Sequence, residues 1–168
     1  LGIKYRDYLN PVWNGKIKYW LDLEESKETV QNGFYGGKPN SRCVHDPNAY
    51  NLKEPLSHAG LFGTIEGLSE TLLKYDADLN LLDTMNKADR KGRFVRGFDT
   101  AQGDESLAGD DYPPLTFGHL GFTGTSFWIS PELQKGWVLL TNSTKYYWFN
   151  KKGLNQLRRS LGGLVWKS

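Results

Sequence analysis

The chain has 168 residues with a formal net charge of +2, so it predicts one domain or a large part of one and carries no basic stripe that would call for a nucleic-acid partner. No run approaches the ~20 apolar residues of a membrane span, and Cys43, the only cysteine, excludes an internal disulfide. The aromatic share of 14% is high enough to supply bulky core or binding surface. The chain opens at Leu1 and its single methionine is Met85, which points to a removed leader or a longer product.

Asn10-Pro11 and Asn14-Gly15 mark turns in a mixed N-terminal segment. Ile17, Tyr19, Leu21 and Leu23 alternate with Lys18, Trp20 and Asp22, which predicts a half-exposed strand. The acidic run Glu24, Glu25 and Glu28 reads as a solvated turn or short helix, and residues 32–41, with Asn32-Gly33, Gly36-Gly37 and Pro39-Asn40, as a loop. Asp46 precedes Pro47 and is expected to fold its side chain onto nearby backbone as a turn. Thr64 is a candidate N-cap, with Glu66 in the first turn and Ile65, Leu68, Leu72 and Leu73 on one face of a helix reaching about Asp76. A second short helical segment is expected over 79–85. Residues 93–100 read as a strand and 101–112 as a loop. Residues 125–130 and 136–142 predict two strands of a hairpin joined by 131–135. Asn150 can cap a closing helix that buries Leu154, Leu157, Leu161 and Leu164 or Val165, with Gly162-Gly163 loosening its last turn. Lys151, Lys152, Arg158 and Arg159 are expected on its solvated face. The sum is an α/β (α+β) chain, an antiparallel sheet with packed helices.

The stretch richest in chemical possibility is 116–131. Gly118, Gly121 and Gly124 weaken a strand, and the usual reason is close approach of another backbone or a ligand. His119 between them could donate to a substrate carboxylate or polarise a hydroxyl. Gly121 would let an extended substrate lie against the backbone, and the Phe122 N–H could then serve as half of an oxyanion hole. A glycine-rich hairpin with a satisfied histidine explains the same residues. His45 and His58 lie in Gly- or Pro-flanked loops and read first as loop-ordering hydrogen-bonders, second as substrate contacts. No pair of histidines has metal-binding helical spacing, so no metal and no cofactor is expected. No serine is followed three residues later by lysine, and neither the G-x-S-x-G elbow nor a phosphate-binding loop is present. Tyr8-Leu9-Asn10 matches a bare Y-x-N pattern but reads as a turn.

Phe117-Gly118-His119-Leu120-Gly121-Phe122-Thr123-Gly124-Thr125-Ser126-Phe127-Trp128-Ile129, followed by Trp137-Val138-Leu139-Leu140-Thr141-Asn142, resembles the C-terminal motif region of the serine β-lactamase-like hydrolases. These include class C β-lactamases, penicillin-binding proteins, D-aminopeptidases and family VIII-type esterases. The segments around His45 and Asp46, around His58 and Gly60, Gly97-Phe98-Asp99-Thr100 and the opening Leu1-Gly2-Ile3-Lys4 resemble the same family in the same order. The resemblance implies a β-lactamase/transpeptidase-like fold of which residues 1–168 would be only the C-terminal part of a single domain, lacking the N-terminal strands and the nucleophile helix. It maps the family's K-T-G or H-x-G motif onto His119-Leu120-Gly121, so that His119 polarises the site, the Phe122 N–H serves the oxyanion hole, and Gly121 and Thr123 line the pocket. The implied function is that of a hydrolase acting on amide or ester bonds through an acyl-serine whose nucleophile lies outside the chain, which would then be inactive alone. The expected partners are a small-molecule or peptide substrate (a β-lactam, cell-wall peptide or ester) and the missing N-terminal part of the protein. The implied location is periplasmic or extracellular. The alternative is a non-catalytic module that binds cell-wall peptide or glycan through Trp128, Trp137, Tyr146 and Trp148.

Overall fold

The computed structural model describes residues 5–24, 31–35 and 38–168. The chain divides into two compact units, 1–74 and 75–168. The acidic run expected as a surface turn lies mostly outside the described residues, as do Leu1-Gly2-Ile3-Lys4.

The first unit opens with helix α1 (Tyr5–Trp13), which continues through Pro11 where the sequence suggested a turn, so that Tyr8 to Asn10 are helical. Strand β1 (Ile17–Tyr19) is shorter than the alternation predicts, because Trp20–Asp22 turns into a single 3-10 turn. Strands β2 (Gln31–Tyr35) and β3 (Lys38–Ser41) form a hairpin over the stretch expected as a loop. Helix α2 (Pro47–Leu52) and strand β4 (Leu61–Gly63) follow, and β4 pairs antiparallel with β1. Thr64 caps helix α3 (Ile65–Leu79) as expected, its Oγ1 accepting the Gly67 N–H at 3.1 Å. The face that α3 buries is not the leucine face. Ile65 and Leu73 are exposed, while Gly67 and Thr71 are buried. A methyl group on Gly67 would lie 2.8 Å from Ile17 Cγ1, so the glycine lets the helix backbone close on β1. Thr71 then accepts the Trp13 indole N–H at 3.1 Å and donates to the Gly67 carbonyl at 2.8 Å. These bonds satisfy the polar atoms that this close packing buries.

The second unit holds helix α4 (Leu81–Asn86) and a five-stranded antiparallel meander in the order β5-β6-β7-β8-β9. Its strands are β5 (Phe94–Val95), β6 (Phe98–Thr100), β7 (Phe117–Leu120), β8 (Ser126–Ser130) and β9 (Lys135–Leu139). Residues 93–100 therefore make a hairpin and not one strand. Arg96 and Gly97 both take positive φ, at 50° and 88°, the two-residue turn that suits the twist of paired strands. One face of the sheet packs Phe117 and Ile129 against Leu81, Met85 and Val95. The other packs Trp128 and Trp137 against Ala101, Ala108 and Trp166 of helix α5 (Lys152–Lys167).

N-terminal helix and strand elements are thus present ahead of the sheet. That corrects the expectation of a partial domain lacking them. Helix α5 keeps part of its predicted face, since Leu161 and Val165 pack on the core, and corrects the rest. Leu157 and Leu164 are exposed, and Arg158, Gly162, Gly163 and Trp166 are buried. Gly162-Gly163 does not loosen the helix. A methyl on Gly162 would stand 1.9 Å from the Ala108 carbonyl oxygen, so the bare backbone is what brings α5 against the loop after β6. Arg158, expected in solvent, gives Nε to Ser126 Oγ at 3.2 Å and Nη2 to the Thr125 carbonyl at 2.8 Å.

Two glycines in α5 give opposite expectations. Gly162→Ala should destabilise the chain by about 1–3 kcal/mol, because the methyl meets backbone that cannot yield. Gly153 has nothing within 4 Å, and Gly153→Ala should stabilise by about 0.5–1 kcal/mol by raising helix propensity. Urea denaturation of both variants checks the pair. Equal effects would refute the close-approach role of Gly162.

Candidate functional site

The candidate residues fall in both units: His45 and His58 in the first, and His119, Gly121, Phe122 and Thr123 in the second. His45 is half-buried beside the start of α2. His58 is exposed, with Nε2 at 3.1 Å from Asp46 Oδ1. Asp46 is the N-cap of α2, and the same oxygen accepts the Ala49 N–H at 2.8 Å. The Ala49 N–H first, and His58 second, hold the Asp46 carboxyl below the ordinary carboxylate range. His58 therefore orders a helix start. No group of three or more His, Cys, Asp or Glu side chains is placed to hold a metal ion among the described residues.

In the second unit β7 is the middle strand of the sheet, not its edge. Its register with β6 nevertheless stops at Asp99↔Gly118, whereas its pairing with β8 continues to Leu120↔Ser126. His119 and Leu120 thus lie beyond the register with β6. His119 is exposed and shares a face with its partner Phe127, and Nδ1 lies 3.1 Å from the Leu120 carbonyl oxygen. A carbonyl only accepts, so in that contact Nδ1 carries the proton. Nε2 is then an acceptor in the neutral ring and becomes a donor to a carboxylate only when the ring is protonated.

Beyond Leu120 the chain does not continue as strand. The Gly121 N–H bonds Thr125 O at 2.8 Å and the Gly124 N–H bonds Gly121 O at 3.0 Å, closing a tight turn with Phe122 and Thr123 at its tip. Phe122 is exposed, its ring set edge-on to Trp148 and Phe149. Thr123 is half-buried, and its carbonyl accepts the Ser143 N–H at 2.9 Å. The glycines have intramolecular reasons. A methyl on Gly118 would strike Phe127 O at 2.1 Å and the Trp128 ring at 2.7 Å, and one on Gly124, whose φ is +110°, would strike Thr141 Oγ1 at 2.1 Å.

Loop 101–116 reaches the opposite face of the sheet. There a cavity of ≈ 360 Å³ is lined by Arg93, Asp99, Gln102, Glu105, Leu120 and Trp128 among others. Asp99 is buried and receives Arg93 through both Nε (2.8 Å) and Nη2 (2.7 Å), a two-pronged pair that holds the arginine charged. Trp128, Leu120 and Asp99 alternate with Phe127 and His119 along the strands, so cavity and histidine open on opposite faces. Sequence reasoning missed this cavity. Its only legible trace was the Arg93…Asp99 spacing across a turn not recognised as one.

Residues 19–158 match the family model described as Beta-lactamase, and the chain belongs to that family. No curated protein matches the chain, and no solved structure does. The family match spans nearly the whole chain, which overturns the expectation of a C-terminal portion with its nucleophile elsewhere. Inactivity for want of a missing half does not follow. The expected N-terminal partner has no support in that match. The chain stands with the β-lactamase-like hydrolases, with a small-molecule or peptide substrate and an extracytoplasmic location. No helix among the described residues is long and apolar enough to cross a membrane. The alternative of a glycan module loses two of its four aromatics, since Trp128 and Trp137 are 2% and 7% exposed and serve the core.

The Asp46 cap stabilises at pH above the ordinary carboxylate range and is lost as pH falls through the depressed value. A carboxyl NMR titration of His58→Ala should move the Asp46 midpoint upward, yet short of the ordinary 3.8 because the Ala49 bond remains. An unmoved midpoint would show that His58 contributes nothing.

Proposed function

We propose that the exposed end of β7 is the substrate-facing wall of a hydrolase-type site for a small amide or ester, such as a β-lactam, a cell-wall peptide or a small ester. We place its work in the periplasm or outside the cell. The observation that carries this proposal is His119, exposed on β7 where the register with β6 has ended. Protonated, its Nε2 donates to a substrate carboxylate; neutral, it accepts from a hydroxyl or water. The Phe122 N–H and the Thr123 hydroxyl, at the tip of the adjoining turn, are the groups assigned to a substrate carbonyl. Gly121 keeps the approach to them low. His45 and His58 are assigned to loop ordering in the first unit. The chain has no lysine three residues after any serine, so the role given to these groups is recognition and polarisation.

A panel of fluorescent penicillin, a D-alanyl peptide and a p-nitrophenyl ester, titrated into the chain and scored for turnover, checks this. His119→Ala should weaken binding of the carboxylate-bearing members about 10- to 100-fold, the loss of one charge-assisted hydrogen bond, with His119→Gln intermediate. Binding unchanged in His119→Ala, or no binding by any member, would sink the proposal.

A further inference from the structure

After Glu132 the chain contains no Asp or Glu, while Lys145, Lys151, Lys152 and Arg159 recur through it. The same stretch carries four consecutive aromatics that the fold leaves outside. Tyr146, Tyr147, Trp148 and Phe149 are 75%, 63%, 39% and 72% exposed, and Phe122 beside them is 45% exposed. Phe122, Trp148 and Phe149 stand mutually edge-to-face with centroids 5.5 to 5.7 Å apart, and Tyr146 and Tyr147 pair at 6.4 Å. Lysines sit over these rings: Lys145 Nζ is 5.0 Å from the Tyr146 centroid and Lys151 Nζ is 5.3 Å from that of Phe122. Five aromatic side chains at these exposures present roughly 600 Å² of ring surface to water, at the upper end of what a soluble monomer leaves in one patch.

We propose that residues 146–149, with Phe122, form a peripheral docking surface for an anionic phospholipid bilayer. The cations decide between a lipid and a protein partner. Protein interfaces collect Tyr, Trp, Phe and Arg but are depleted in Lys. Aromatic rings beside lysines, in a stretch of sequence without Asp or Glu, are what the boundary of an anionic bilayer selects: rings enter the headgroup layer and ammonium groups stay at the phosphates. The segment lies after β9 and before α5, bounded by Ser143–Lys145 and by Asn150, whose Oδ1 accepts the Lys152 N–H at 3.3 Å. Lys151 is itself fixed to Ser143 Oγ at 2.8 Å, so the patch is held in shape rather than loosely displayed. With no spanning helix among the described residues, the association would be at the surface. The patch shares Phe122 with the His119 site, using the ring rather than the backbone N–H.

The test uses the intact chain and sedimentation with vesicles of phosphatidylcholine alone, or mixed with phosphatidylglycerol. The chain should partition at least tenfold more strongly to the mixed vesicles at low salt and be released by added salt. Lys145→Gln with Lys152→Gln should lower partitioning roughly twenty-five-fold, at about fivefold per lysine. Tyr147→Ser with Phe149→Ser should abolish it without changing the circular dichroism spectrum. Brominated phosphatidylglycerol should quench tryptophan fluorescence in the unmodified chain and not in Trp148→Phe, a variant that keeps an aromatic ring. Absence of sedimentation with mixed vesicles overturns the proposal. So does equal quenching in Trp148→Phe, or retention on a soluble polyphosphate matrix without any partitioning to vesicles.

Discussion

The second unit depends on one close approach, that of Gly109 to Gly162. A methyl group on Gly109 would stand 2.4 Å from Gly162 Cα, so two backbones touch where side chains would ordinarily keep them apart. Beside that contact the Ala108 carbonyl accepts two indole N–H groups, from Trp166 at 2.9 Å and Trp137 at 3.3 Å. One carbonyl thereby binds the loop after β6, the outer strand β9 and the closing helix together. Its two lone pairs are both used, and both donors are buried where a missing partner would cost about 1–3 kcal/mol each. With α5 so placed, Arg158 reaches the start of β8, and the turn bearing Phe122 and Thr123 is held from beneath. The Phe122 turn keeps its place because a helix well downstream in sequence is seated by two glycines.

The sheet face turned toward α5 and the one turned toward α4 do different work. Trp128 crosses over Gly118 on the first, and this is why the strand tolerates a glycine there. His119 emerges on the second, one residue later, where β6 has already turned away. Chemistry and packing are thus separated by the two-residue period of a single strand.

Much of this sheet is legible in the residues, because two apolar runs joined by a short connection that opens with Pro131 define the β8–β9 hairpin. The Thr64 cap was legible for the same local reason. The β5–β6 hairpin was not, because Arg96 pays no visible tribute to a left-handed turn and only Gly97 marks it. The buried face of α3, and that of α5 apart from Leu161 and Val165, were misread for a shared cause. Counting leucines assumes that apolar bulk seeks the core, whereas both helices approach by their smallest residues and bury Thr71 or Arg158 with satisfied hydrogen bonds. The glycines of 118–124 looked like room for a ligand; most of that room is filled by Trp128, Thr125 and Thr141. His119 could be singled out from sequence because its neighbours are unusual. The cavity around Arg93 and Asp99 could not, since its walls come together only once the hairpin has folded.

Arg158 has a property that sets it apart from the surface ion pairs. It donates to the Ser126 hydroxyl, the Asn155 amide oxygen and the Thr125 carbonyl, and burial weighs against its charge. None of those three oxygens gains a proton in mild acid. The clamp beneath the Phe122 turn is therefore indifferent to acidity, unlike the carboxylate cap of α2. A chain working outside the cytoplasm, where acidity is less tightly held, keeps the shape of this turn by a bond that the surrounding medium does not tune.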